Sequence, residues 1–465
     1  MNTSNILLLS CYELGHQPVS LGWPLAALQE AGLSAAAVDL SVEDFPESAA
    51  QSAQLIAIAA PMHTALRLGV EAAHRVRALN PSAHITFFGL YAWLNGDYLL
   101  RANGSAPVAD SVIAGEYEGP LIALACALNE DRSAAEVPGV STLERAAQPH
   151  LARLTFPVPA RSSLPALENY ARYMADDEAH LAGYVEASRG CLHTCGHCPI
   201  VPVYNGRFFV VPAQTVLADI RQQVAAGARH ITFGDPDFLN GPGHALKITE
   251  ALHAEFPRVT FDFTTKVEHI LEHRDLMGRL RKAGATFIVS AFESTSSRVL
   301  ARLNKGHSVA QMDEALAVLA EVGLAVRPTW LPFTPWTSLD DYVGMLAWIR
   351  SRGLIPSTSA VQMSIRLLVP PGSALLDHPD VESWRGALDP ANFAWRWDHP
   401  EPRMDALQRE IAFIAEDADP DTHPWILFEA VEYAANAVAG LDAPKHPRPA
   451  FFPPPPPRLT ENWFC

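Results

Sequence analysis

Basic residues are scarce in this chain: 34 lysines and arginines stand against 51 aspartates and glutamates, a formal net charge of −17. A nucleic-acid partner is not expected, because phosphate binding by counterion release needs a basic stripe, and none is present. Long apolar runs are missing as well. No stretch reaches the roughly 18 residues of a membrane-spanning helix. Met1 to Ser10 has neither a basic n-region nor a small-residue cleavage site, so the expectation is a cytoplasmic protein without a secretion signal or a membrane partner. Six cysteines in 465 residues are too few for a secreted disulfide framework. Cys11 and Cys126 lie in apolar stretches and read as buried structural thiols. Cys191, Cys195 and Cys198 crowd into one short segment.

The length predicts two or three α/β domains. Over residues 1–130, short apolar runs at Asn5–Ser10, Ala35–Leu40, Leu55–Ala60, His84–Gly89 and Ser111–Gly115 alternate with helical patterns. That alternation predicts a doubly wound domain, a parallel sheet covered on both faces. Residues 131–180, broken by Pro138, Pro149, Pro157, Pro159 and Pro165, read as a linker packed across two domains. Residues 181–371 alternate again. Strands are expected at Tyr184–Ser188, His230–Phe233, Thr260–Thr264, Thr286–Ala291, Leu324–Thr329 and Val361–Leu368, giving a partial (β/α)6 barrel with its chemistry at the carboxyl ends. Residues 372–465 form a small, mostly helical extension, and Pro453–Pro457 predicts an extended spacer in its tail.

The chemistry concentrates after the first barrel strand. Arg189-Gly190-Cys191-Leu192-His193-Thr194-Cys195-Gly196-His197-Cys198 carries the spacing C-x₃-C-x₂-C. Three thiolates on one tight loop can each hold one iron of a [4Fe–4S] cubane and leave the fourth open. An open iron can chelate the amino and carboxylate groups of S-adenosylmethionine, whose reductive cleavage gives a 5′-deoxyadenosyl radical. A Cys₃His zinc site using His193 or His197 is the competing reading.

The segment from Glu186 to Cys191, with Cys195 and Cys198 after it, resembles the cluster loop of the radical SAM superfamily. The resemblance covers about 190 residues, Gly183 to Pro371, and implies a radical SAM barrel with a flavodoxin or ferredoxin as electron donor. The family usually has an aromatic residue before the third cysteine; here that position is His197, whose backbone would lie near the adenine. Gly234 and Asp235 follow the second strand, where such enzymes meet the methionyl amino group. Glu293, in Phe292-Glu293-Ser294, is similar to a Glu-Ser segment that contacts the cosubstrate. Lys266 and Arg327 close the third and fifth strands and are expected in the same mouth, with Trp330, Phe333 and Trp336 as an aromatic wall. The doubly wound domain resembles the cobalamin-binding class of the superfamily. That places Pro61–Thr64, Gly89–Trp93 and Gly115–Gly119, with Gly89, Gly115 and Glu116, near a corrin. The Asp-x-His-x-x-Gly motif of axial ligation is absent, so cobalamin without a histidine ligand is one reading and a degenerate structural domain the other.

The ending Trp463-Phe464-Cys465 resembles a radical SAM subgroup whose tail reads Cys-Cys-Ala-Glu-Pro or Cys-selenocysteine-Ala-Glu-Pro. The resemblance implies a selenoprotein cut at the selenocysteine codon, with Cys465 as a catalytic thiol. Cobalamin-dependent methyl transfer to a small metabolite or natural-product precursor is the function expected. Transfer of a 3-amino-3-carboxypropyl group to a soft acceptor such as arsenite is a second reading, and a non-catalytic redox or metal sensor a third. A tRNA-modifying methylthiolase is disfavoured by the lack of a basic C-terminal module.

Overall fold

The computed structural model describes residues 5–101, 107–152, 155–419, 422–442, 446, 451–452 and 454–461. The first apolar runs become β1 (Ile6–Ser10), β2 (Ala35–Asp39), β3 (Leu55–Ala59), β4 (His84–Phe88) and β5 (Ser111–Ile113), with a short β6 (Val140–Ser141) at the edge. They form one sheet in the order β2-β1-β3-β4-β5-β6. β1 to β5 pair in parallel, and β6 is antiparallel. Every residue of β1 and β3 is buried, as continuous apolar strands require when helices cover both faces. Helices Val19–Glu30 and Glu118–Asn129 pack on one face and His63–Leu79 on the other. Chain order reverses between β1 and β3, so the loops at their carboxyl ends flank a topological switch point.

The second unit opens with an antiparallel hairpin, β7 (Arg172–Ala175) and β8 (Glu178–Val185). A two-stranded ribbon of β9 (Ser188–Gly190) and β10 (Phe208–Val210) follows. The parallel strands are β11 (His230–Phe233), β12 (Thr260–Thr264), β13 (Ala285–Glu293) and β14 (Ala325–Trp330). The extension supplies a hairpin, β15 (Arg385–Asp389) and β16 (Ala394–Trp397), two helices at Pro402–Glu416 and Pro424–Ala439, and a last strand, β17 (Arg458–Leu459). The sheet order is β14-β13-β12-β11-β8-β7-β17. Outward residues such as Ile231, Phe263, Ile288 and Val326 lie under the helices in the large core. Tyr173, Ala182, Phe287, Val289, Ala325 and Leu459 cluster on the inner face.

Three expectations are corrected here. Val361–Leu368 is not a strand. It contributes a single parallel bridge, Phe333 to Arg366, because the side-chain oxygen of Gln362 accepts the Trp330 N–H at 2.8 Å and stops the ladder at β14. The barrel therefore has five parallel strands, β8 and β11 to β14. The tail is more than a spacer: Thr460 exchanges hydrogen bonds with the Arg172 backbone, and the Tyr12 hydroxyl donates to Glu461 at 2.6 Å. Trp330, Phe333 and Trp336 are core side chains, not a wall of the mouth.

The segment 131–180 bridges the two sheets. Arg161 is buried, pairs with Asp219 at 2.8 Å and donates to the Tyr184 carbonyl at 2.6 Å and the Gln17 carbonyl at 3.3 Å. Among the described residues no helix is long and apolar enough to cross a membrane.

Candidate metal centre

The cysteine loop is held by the ribbon that precedes it. Gly190 has φ +76°, and a Cβ there would lie 2.4 Å from the Arg207 carbonyl oxygen, so only glycine allows the chain to turn at this point. The Cys191 N–H then donates to Arg207 O at 3.1 Å, and Cys198 N–H closes a turn onto Cys195 O at 3.1 Å. Cys191 and Cys195 are buried and Cys198 is partly buried. Burial pushes the Cys198 thiol up to about 12 and raises Cys191 as well, and each thiol feels its neighbours. Thiols raised in this way, as Cys191 and Cys198 are, stay protonated unless a metal takes them as thiolates. This donor set fits a sulfur-ligated cluster.

Lys305 is a group that the sequence did not single out. It is 2% exposed, lies 3.1 Å from Glu293 and is close enough to Cys195 and Cys198 to interact electrostatically. Its charge favours the thiolates. Burial opposes the charge of Glu293, but Lys305 and His197 outweigh it and hold that carboxyl well below its usual range. Glu293 sits at φ +63°, a conformation costly for a residue with a Cβ and frequent at functional sites. His197 Nε2 is 3.5 Å from Glu293. His197, Glu293 and Lys305 thus meet beside the cysteine loop.

Gly234 and Asp235 have a bracing task. A Cβ on Gly234 would meet the Tyr184 ring at 2.1 Å. The Asp235 carboxylate accepts the Ala187 N–H at 2.9 Å and the Ser188 hydroxyl at 2.5 Å, tying the end of β11 to the start of the cysteine loop. Its oxygens thus face the segment that leads into the cysteine loop. Asn240 donates no bond to the loop, but its Oδ1 accepts two, from Leu192 N–H at 3.3 Å and from the Cys191 thiol at 3.9 Å. Lys266 does lie at the mouth, 3.2 Å from His193 Nδ1 and paired with Glu268. Asp237 is 2.9 Å from His269 and 3.5 Å from His193. The ammonium of Lys266 so near His193 disfavours a second cation among these three. Arg327 does not close its strand but lies within β14, three residues before its end at Trp330.

Arg189 joins the two sheets. It is buried and paired with Glu116 at 3.2 Å, Glu118 at 2.7 Å and Glu186 at 3.1 Å. The rings of Trp23, Tyr117 and Phe156 surround its guanidinium. Glu116, expected to face a corrin, is instead fully buried, and its other oxygen accepts the Tyr204 hydroxyl at 2.8 Å. Gly115 has φ +79° and lies against His150, whose carbonyl oxygen would be 2.3 Å from a Cβ there. Gly89, at φ +106°, lets the loop after β4 pass over Ala60 O at 3.0 Å from a would-be Cβ.

The histidines near the switch point are engaged. His16 is buried and stacks on Tyr184 at 4.3 Å, and burial keeps it neutral by lowering its pKa to about 3. His63 Nε2 meets the Asn392 carbonyl at 2.7 Å. Neither of these two imidazoles is free to serve as a ligand in this arrangement. Cys465 lies outside the described residues.

Glu13, after β1, accepts from Val19 N–H at 3.2 Å and Ser20 Oγ at 2.7 Å, yet burial raises its pKa to about 8. A carboxyl whose folded-state pKa exceeds its unfolded one binds its proton more tightly in the fold. Its contribution is complete below the unfolded value and is lost as pH rises through about 8. Stability relative to Glu13→Gln is expected to decline from pH 5 to pH 8 by up to about 1.4 kcal/mol per pH unit. Urea titrations of both proteins across that window measure it; a flat difference would refute the assignment.

Residues 185–343 match the family model "Radical SAM superfamily". Among curated proteins, the chain is 27% identical over 183 residues to tRNA-2-methylthio-N(6)-dimethylallyladenosine synthase of Chlorobium phaeobacteroides, covering 37% of this chain and 38% of that one. The same enzyme of Chlorobium phaeovibrioides is 28% identical over 171 residues, covering 35% and 37%. The chain thus spans under two fifths of the length of these relatives. Among solved structures, OxsB, a cobalamin-dependent S-adenosylmethionine radical enzyme with aqua-cobalamin and S-adenosylmethionine bound, superposes with a TM-score of 0.71 at 15% identity, covering 93% of this chain and 71% of OxsB. TsrM of Kitasatospora setae, a radical S-adenosylmethionine methyltransferase with tryptophan and a SAM analog bound, gives 0.64 at 16%, covering 84% and 83%. The shared feature is the fold. The chain carries a radical SAM domain with a doubly wound domain before it.

Proposed function

We propose that this protein is a radical SAM enzyme that functionalises a small metabolite or natural-product precursor by cobalamin-dependent methyl transfer. The observation that carries the reading is the buried three-thiol loop at the end of β8, in an open barrel preceded by a doubly wound sheet. When bound, the cluster and S-adenosylmethionine supply reductive S–C cleavage, and cobalamin a methyl carrier. Cys191, Cys195 and Cys198 hold the iron. Lys305 offsets the thiolate charge and, with Glu293, presents a charged pair to the zwitterionic methionine. Asp235 fixes the loop through Ala187 and Ser188. Loops Pro61–Thr64 and Gly89–Trp93 would seat the corrin. A nucleic-acid substrate is not part of this reading, since 51 acidic residues face 34 basic ones.

The experiment is nucleoside analysis after anaerobic loading with iron and sulfide and reduction in the presence of S-adenosylmethionine. The expected products are 5′-deoxyadenosine and, only when cobalamin is supplied, S-adenosylhomocysteine. Methylthioadenosine as the specific product would replace methyl transfer with aminocarboxypropyl transfer. No cleavage by a fully loaded protein would replace the enzyme with a sensor.

A further inference from the structure

The inner face of the barrel carries a charge arrangement that none of the roles above uses. β14 alternates, with Val326 and Trp330 under the helices and Ala325 in the inner cluster. Arg327, two residues after Ala325, faces inward by the two-residue period of a strand. β14 is one edge of the seven-stranded sheet and β17 is the other, yet Leu459 of β17 packs in the same inner cluster as Ala325. The sheet has curled so that side chains from both edges share one inner cluster. Arg458 consequently repels Arg327 across the seam.

Among the described residues Arg327 is incompletely answered. Arg327 Nη1 is buried and makes no hydrogen bond. Asp262 is the carboxylate that acts on Arg327, but its Oδ1 already takes His230 Nε2 at 2.8 Å and Thr232 Oγ1 at 2.7 Å. The His230 ring is fixed from both sides, by Thr260 at 2.7 Å and by the Tyr173 ring stacked at 3.8 Å. Burial and Arg458 together depress Arg327 to about 10. An inward guanidinium with an orphaned donor beside a second guanidinium lacks an anion, because a forked donor is completed by two oxygens on one centre.

We propose that Arg327 and Arg458 form an oxyanion site on the floor of the barrel, which takes the carboxylate or phosphoryl headgroup of the substrate. The proposal rests on the enzymatic reading above and narrows its substrate class. Arg327 stands three positions before Trp330, the carboxyl end of β14, roughly 10 Å of strand. A metabolite of amino-acid or sugar-phosphate size anchored at the floor would present its far end to the cysteine loop. An uncharged soft acceptor would leave the pair unanswered.

The test uses the full chain, cluster-loaded, in thermal melts at constant ionic strength, with inorganic phosphate or glutarate replacing chloride. Both probes are expected to raise the midpoint saturably. R327Q and R458Q should each weaken the apparent affinity at least about tenfold, or 1.4 kcal/mol, while the exposed-site control R101Q leaves it unchanged. R327K, which keeps the charge, covers the case of a misfolded R327Q and should retain part of the effect. A response to phosphate but not glutarate assigns a phosphoryl headgroup, and the reverse a carboxylate. No saturable shift, or an equal shift in R327Q and R458Q (an adventitious surface ion only), would overturn the proposal. Iron content and substrate-free S-adenosylmethionine cleavage are measured on the same samples. Their loss in the wild type would undo the enzymatic reading and leave the anion result standing.

Discussion

Replacing any one of Cys191, Cys195 and Cys198 with alanine is expected to lower reductive cleavage of S-adenosylmethionine by at least a thousandfold, about 4 kcal/mol of activation barrier, with little loss of stability. The two halves of this expectation have separate causes. A cubane loses a covalent ligand that nothing else on the loop replaces, since His193 is turned to Lys266 and Asp237, and His197 to Glu293. The thiol itself is one small buried group, whose removal falls within the ordinary 0.5–3 kcal/mol range of point substitutions. Iron and sulfide analysis after anaerobic loading, with circular dichroism melts of the same samples, measures both. Cys126→Ala, on the helix Glu118–Asn129 far from the loop, should keep its full iron content. A cluster-loaded, active Cys195→Ala would sink the assignment.

Arg189→Met is expected to destabilise the protein by about 3–5 kcal/mol, the usual consequence of removing one partner from a buried ionic group. The methionine keeps much of the volume between Trp23, Tyr117 and Phe156, so the loss is electrostatic: Glu116, Glu118 and Glu186 remain together without a cation. Burial already raises Glu116 and Glu186 with Arg189 present, and without it both rise further. Carboxyls raised in the fold contribute at low pH and lose that contribution as pH climbs. The deficit of Arg189→Met should therefore be smaller at pH 5.5 than at pH 8. Chemical denaturation at the two values decides; equal deficits would mean that Arg189 acts by packing alone. Because Glu116 follows the last parallel strand of the first unit and Glu186 and Arg189 lie in the second, the variant should also loosen the seam between them, read as faster amide exchange at residues 115–118.

The sequence by itself determined the elements. Continuous apolar runs flanked by amphipathic segments read as buried strands between helices, and His230–Phe233 and Thr260–Thr264 fall where the pattern places them, while Val361–Leu368 does not. The cysteine spacing is local, so its chemistry was legible without a fold. Tertiary structure decided what depends on partners distant in the chain. Asp235 turns to Ser188, Glu116 to Arg189, and Gln362 ends the barrel ladder at Trp330; no periodicity encodes these pairings. The tail shows the reason most plainly. Arg458–Leu459, directly after a proline run and with no strand pattern of its own, becomes β17 because β7 offers an unpaired edge. Arg327 reads as one more strand-end cation until the curled sheet brings Arg458 against it. Burial and charge contact are properties of closure in three dimensions, and closure is decided by the whole chain at once.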